Sequence, residues 1–215
     1  MRNQLLIELH KQSQTVFSLK EISLLMPDLA YNNLSNQVLY LTKQGAIKRL
    51  TRGIYAKDEY NPFELANKLY TPSYISLETV LLLAGITFQY YERIFSMSYL
   101  TRTVKVSGHT LQYHQMNKDI LLDKRGLVQR DNITIASPER AFLDALYLYK
   151  DYHFDNSSPE RAFLDALYLY KDYHFDNLGA LDWDKVFEFV NIYKSKAMHN
   201  RVYEYHQIYQ EEHIG

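Results

Sequence analysis

Residues 17–56 read FSLKEISLLMPDLAYNNLSNQVLYLTKQGAIKRLTRGIYA, and this stretch decides the fold of the N-terminal part of the chain. Ser18 and Glu21 make the pattern S-x-x-E, in which each side chain satisfies a free backbone N–H at the other residue and a helix begins. Leu19, Ile22 and Leu25 then recur at helical spacing, so one face is expected to be buried. Met26-Pro27-Asp28 ends that helix, because proline biases the residue before it away from helical dihedrals. A second helix is predicted over 31–44, with Gly45 as the left-handed residue that closes it. Two short strands, 46–50 and 54–56, follow around Thr51-Arg52-Gly53. Helix, turn, helix and hairpin in that order spell a winged helix-turn-helix, with residues 3–12 as its first helix and Leu5, Leu6 and Leu9 facing inward.

The second helix carries the chemistry. Leu34, Val38 and Leu41 share an inward face. Asn33, Asn36, Gln37, Tyr40, Lys43 and Gln44 are read as the opposite face. Asn and Gln pair with adenine edges, and Lys pairs with guanine or with phosphate. The hairpin adds Lys48, Arg49 and Arg52, a basic tip suited to a phosphate backbone or a minor groove. Double-stranded DNA is therefore the expected partner.

Charge supports that expectation. Residues 1–57 hold eight Lys/Arg and three Asp/Glu, a balance of +5, so with a whole-chain charge of −1 the remainder carries −6. A basic first quarter on an acidic body suits a chain of which one part meets nucleic acid. The chain has no cysteine, which excludes disulfides, thiol catalysis and cysteine-based zinc sites, and fits a cytoplasmic location. No signal peptide is visible, and the most apolar run, 80–86, is far too short to span a bilayer.

The polar run 57–61 is the best boundary, giving a DNA-binding domain over 1–58 and a second domain over 59–215. In the latter, PFELANKLY (62–70) reads as a helix with proline at its first position, and Ser76 is a candidate cap for LETVLLLA (77–84), which Gly85 ends. Five short β-branched or aromatic segments follow between 94 and 136, with turns at Ser107-Gly108-His109 and Asp131-Asn132. They predict a small, mainly antiparallel sheet flanked by helices. The tail from 183 to 212 is predicted helical, with Val186, Phe189, Val190 and Tyr193 on one stripe and Val202, Tyr205 and Tyr209 continuing it. The fold class is α+β.

Residues 137–156, SPERAFLDALYLYKDYHFDN, recur without a change at 158–177. Natural repeats drift, because only packing positions are constrained, so a perfect copy points either to a recent in-frame duplication or to an error in the sequence. Each copy reads as a helix, with Ser as N-cap, Pro at the first position and Glu in the first turn. Phe142, Leu146 and Tyr149, and then Phe163, Leu167 and Tyr170, ask for the same core contacts. Both copies are expected to be helical.

Evidence for an enzyme is thin. The eight histidines show no metal-ligand spacing, and no phosphate-binding glycine loop or nucleophile elbow occurs. Asp182-Trp183-Asp184 resembles a magnesium-holding acid pair but sits at a helix start, where acids favour the dipole. Neither a catalytic residue, a metal nor a cofactor is expected. Arg93, Arg102, Lys105, Lys124, Arg125 and Arg130 are read as solvated strand edges in preference to a second nucleic-acid surface. Glu139 and Arg140 are expected to make a structural pair at a helix start.

The run AIKRLTRGIYAKDEYNPFELANKLYTPSYISLETVLLLAGI (46–86), with ITIASPERAFLDALYL (133–148), resembles the AbiEi family of antitoxins. The similarity covers most of 5–155. Its most specific pieces are Arg52-Gly53-Ile54-Tyr55, Pro72-Ser73-Tyr74-Ile75-Ser76-Leu77-Glu78 and Pro138-Glu139-Arg140-Ala141, and the second copy of the last departs from the family pattern. The resemblance implies a repressor that binds inverted repeats in its own promoter. It further implies that the C-terminal domain counters a nucleotidyltransferase toxin without forming a stable complex. The residues by themselves also allow a stand-alone transcription regulator with a dimerising or ligand-sensing C-terminal domain, or an enzyme targeted by its N-terminal module.

Overall fold

The computed structural model describes residues 2–149 and 175–213. It is a mixed α+β protein with one antiparallel and one mixed sheet. The chain divides into two compact units, Met1–Ile75 with Glu92–Leu121 and Val128–Ile135, and Ser76–Tyr91 with Leu122–Leu127 and Ala136–Gly215.

The first unit opens with α1 (Arg2–Lys11), β1 (Val16–Ser18), α2 (Leu19–Leu25), α3 (Tyr31–Lys43), β2 (Lys48–Thr51) and β3 (Ile54–Ala56). The three strands pair antiparallel in the order β1-β3-β2. Leu5, Leu9, Phe17, Ile22, Leu34, Val38, Leu41 and Ile47 form one buried cluster, with Leu6, Leu19 and Leu25 packed against it. The capping box is present in full. Ser18 Oγ accepts from Glu21 N–H, and Glu21 Oε2 accepts from Ser18 N–H at 2.8 Å. Burial pushes the Glu21 carboxyl up, but hydrogen bonds from Lys68 and Ser18 outweigh it and hold the group below its ordinary value. Strand β1 has no counterpart in the sequence reading, because three residues are too few for a period-two signal.

The boundary expected at 58/59 falls inside this first unit. In α4 (Pro62–Leu69), capped by Asn61, the buried Glu64 accepts backbone N–H bonds from Thr15 at 2.7 Å and Val16 at 2.8 Å. Two donors in the turn between α1 and β1 are thereby satisfied by a side chain from beyond the boundary.

The second sheet corrects the expected small antiparallel one. Its six strands run β6-β7-β5-β4-β9-β8, from β4 (Ser73–Ile75), β5 (Ile94–Ser98), β6 (Arg102–Val106), β7 (His109–Gln115), β8 (Leu127–Arg130) and β9 (Ile133–Ala136). All five anticipated strands form, and β4 joins them. The sheet is mixed because β7 folds back between β6 and β5, so β7 lies antiparallel to β6 and parallel to β5. β4 is antiparallel to β5 and meets β9 in parallel at Ile75↔Ile135. The two expected turns are two-residue loops with both central φ positive, Ser107-Gly108 and Asp131-Asn132, the geometry that matches strand twist. Tyr113 on β7 is buried and donates its hydroxyl to the Ala66 carbonyl of α4 at 2.8 Å. A short helix, α6 (Lys118–Leu122), follows β7.

The second unit holds α5 (Leu77–Leu83), α7 (Pro138–Leu148), α8 (Trp183–Phe189) and α9 (Lys196–His213). Ser76 does not cap α5 with its side chain. It donates instead to Asp144 Oδ2 at 2.8 Å. The helical tail is not continuous. A 3-10 turn at Val190–Tyr193 and a left-handed Lys194 separate α8 from α9. Val186, Val190, Tyr193 and Val202 are buried as expected.

The first repeat copy supplies α7, with Ser137 accepting from the Arg140 N–H and Phe142 and Leu146 buried. The second copy's expected helix, with Phe163, Leu167 and Tyr170, lies outside the described residues. Its last three residues do not. Phe175 packs on Phe142, with ring centroids 4.7 Å apart, and on Tyr205. Asp176 accepts from Phe88 N–H at 2.7 Å, and Asn177 N–H donates to the Ile86 carbonyl at 3.1 Å. Among the described residues no helix is long and apolar enough to cross a membrane.

Candidate nucleic-acid interface

Helix α3 is closed by the device that Gly45 predicts. Gly45 has φ +71°, its N–H donates to Thr42 O at 3.1 Å, and Ala46 N–H donates to Leu41 O at 3.0 Å. This paired closure turns the chain directly into β2 and buries Ile47 in the same cluster as Leu34, Val38 and Leu41. The helix and the hairpin are thus fixed to one core.

The hairpin is irregular at its tip. Register slips at Leu50, between the Arg49↔Tyr55 and Thr51↔Ile54 pairs. Gly53 takes φ +78°, and its carbonyl accepts from Leu19 N–H at 2.9 Å, which ties the hairpin tip to the start of α2.

The expected contact residues divide by placement. Asn33, Asn36, Tyr40, Lys43 and Gln44 are exposed, as are Lys48, Arg49 and Arg52. Gln37 stands apart. It is half-buried beside Val38, and its Oε1 is enclosed and meets no hydrogen-bond donor. A bidentate adenine contact needs both ends of the amide, so Gln37 as placed does not offer one. Asn32 and Leu39 are exposed on the outward side of the helix, and the sequence reading passed over both. Their signal was their spacing from Asn36 and Lys43.

Acid partners divide the cations. Lys48 Nζ lies 2.8 Å from Asp58 Oδ1 and also donates to the Asp58 carbonyl. Lys11 pairs with Glu8, and Lys68, from α4, takes up Glu21. Lys57 donates to Gln12 O and lies over the Phe17 ring. Lys20, Lys43, Arg49 and Arg52 are exposed and, among the described residues, face no carboxylate within ion-pair distance. Helix α3 itself contains no acidic residue.

The other expected clusters take structural roles. Arg125 binds Asp123 through two nitrogens, and these hydrogen bonds hold the Asp123 carboxyl below its ordinary range. Arg130 sits 3.5 Å from Asp131, Arg93 donates to Gln112, and Arg102 lies over the Tyr70 ring. Arg102 and Lys105 lie on β6, which is an edge strand. Arg140 pairs with Asp144 at 3.3 Å, not with its neighbour Glu139, and both partners are fully buried. Asp144 also accepts from Tyr193 Oη at 2.6 Å, and Arg140 donates to the Arg125 carbonyl at 3.0 Å. Asp182 caps α8 and pairs with Lys185 at 2.9 Å, and these bonds hold its carboxyl below the ordinary value. Among the described residues no three His, Cys, Asp or Glu side chains converge as a metal site.

No family model and no curated protein matches this chain. Among solved structures the chain is similar to the RV2827C protein from Mycobacterium tuberculosis, with 10% sequence identity, 88% of this chain and 70% of that one covered, and a TM-score of 0.46.

Proposed function

We propose that this protein is a DNA-binding transcriptional repressor whose N-terminal elements act as a winged helix-turn-helix, with α3 in the major groove and the β2–β3 hairpin as the wing. The observation that carries the reading is the acid-free outward face of α3 beside a hairpin whose Arg49 and Arg52 meet no acid partner among the described residues. Asn33 and Asn36 would read base edges, while Lys43, Arg49 and Arg52 would hold phosphates. The element order and the β1-β3-β2 pairing support the winged-helix assignment. With the AbiEi-like motifs of residues 46–86 and 133–148, we further propose that the repressed promoter is its own. On this reading the chain, which would act in the cytoplasm, also opposes a nucleotidyltransferase toxin without a stable complex.

The test uses the full chain, because a cut at 58/59 would remove the acceptor of the Thr15 and Val16 N–H groups. A reporter driven by its own promoter should be repressed by the native chain and released by the Arg49→Ala/Arg52→Ala double variant. A folded double variant that still represses fully would overturn the DNA-binding assignment. Co-expression with the toxin encoded beside it tests the second role, and growth rescue by the double variant would show that antitoxicity does not depend on repression.

A further inference from the structure

We infer that α3 reads the C5-methyl group of thymine through Leu39, so that the ligand of this face is A·T-containing duplex DNA. The inference rests on the DNA-binding reading above and adds the base that is read.

Asn32, Asn36, Leu39 and Lys43 follow one another at helical spacing and make a single stripe along α3. At about 100° per residue this stripe points directly away from Leu34, Val38 and Leu41, which are buried. Leu39 lies on this outward side and is 46% exposed, with Tyr40 beside it 41% exposed. It stands between amides and an ammonium, so no continuous apolar patch surrounds it along the stripe. Along that stripe Leu39 has only polar side chains as neighbours.

The major groove supplies what this pattern lacks. Among the base edges there, thymine alone carries an apolar group, and adenine offers the donor and acceptor pair that asparagine matches. Leu39 between Asn36 and Lys43 thus fits an A·T step followed by a guanine or phosphate contact. Charge points the same way, since α3 holds no acid and Lys43 closes it. RNA is excluded as the occupant on geometry, because its deep major groove does not admit a helix and uracil carries no methyl group.

The test begins with duplexes selected by the full-length protein from a random pool, each then synthesised with thymine and with deoxyuridine. Removing a contacted methyl should weaken native binding about fourfold per thymine, the value of one buried carbon. Leu39→Ala should bind the thymine and uracil duplexes alike, at the affinity the native protein shows for uracil. Leu39→Met, which keeps an apolar reach, should retain part of the discrimination. Equal native affinity for the two duplexes would overturn the inference while leaving DNA binding intact. So would a Leu39→Ala variant that weakens both duplexes by the same factor. Failure to select any duplex would remove the DNA-binding reading itself, and this inference with it.

Discussion

Lys48 and Arg52 stand on the same hairpin and differ in what each can give a phosphate. Among the described residues Arg49 and Arg52 have no acid to leave, so Arg52→Ala and Arg49→Ala should each lower the slope of log affinity against log salt by about 0.9. Lys48 is already held by Asp58, and its removal should change the slope less. Asp58→Asn, which removes the carboxylate from Lys48 and leaves only the backbone carbonyl contact, should strengthen binding. Titration of a selected duplex at several salt concentrations checks all four, and an equal effect of Lys48 and Arg52 would contradict the role of Asp58. His114 gives a second residue-scale prediction. It is enclosed beside Phe95 and shares a 3.0 Å contact with Gln112, and burial pushes its pKa down to about 4. The unfolded imidazole takes up a proton near pH 6.5, before the folded one does. Stability should therefore fall as pH drops from about 6.5 to about 4, by at most ~3 kcal/mol. Comparing native protein with His114→Phe in thermal unfolding across that window isolates the contribution, which vanishes in the variant if His114 is its source.

Helices α3 and α7 show what was legible at the scale of the element. The start of α2 and the end of α3 could be read, because S-x-x-E and a glycine after the last apolar position have local meanings that tertiary structure did not override. Gln37 was misplaced because a polar residue was counted as outward by type. At about 100° per residue it lies only about 60° from Leu34, on the shoulder of the core. Asn36, which faces fully outward, is the better specificity residue, and Asn36→Ala should relax base preference by roughly 1–3 kcal/mol at one position. In α7 the sequence suggested a local Glu139–Arg140 pair. The observed partner of Arg140 is Asp144 one turn on, joined by Ser76 and Tyr193 from distant positions that no local pattern reveals. Asp144→Ala takes the carboxylate away from the buried Arg140 guanidinium, and should cost about 3–5 kcal/mol, read by denaturant unfolding. Gly126 nearby admits no side chain, since it has φ +69° and an added Cβ would lie 2.8 Å from Arg140 Cβ. Strand β4 escaped notice for the same reason as β1, being three residues long, and the parallel β5–β7 pairing has no local signal in the sequence.

At the scale of the molecule, the two copies of the repeat share one set of contacts. The first copy contributes its opening, from the Ser137 cap to Tyr149, whose hydroxyl donates to Glu78 Oε1. The second contributes its close, Phe175-Asp176-Asn177. An opening and a close together make one copy. The copies start at 137 and 158, 21 positions apart, so a chain shortened by those 21 residues keeps both ends of the motif in sequence. It should fold with Phe154, Asp155 and Asn156 in the places of Phe175, Asp176 and Asn177. Calorimetry on the two chains decides this, and a shortened chain that fails to fold would show the added residues to be essential. The full chain also carries this trio twice in its sequence. Its two Phe-Asp-Asn trios are chemically identical candidates for one place beside Phe142, and a lesion in one leaves the other intact. Phe175→Ala in the full chain should accordingly do less harm than Phe154→Ala in the shortened one, a form of mutational insurance that a single-copy sequence does not have.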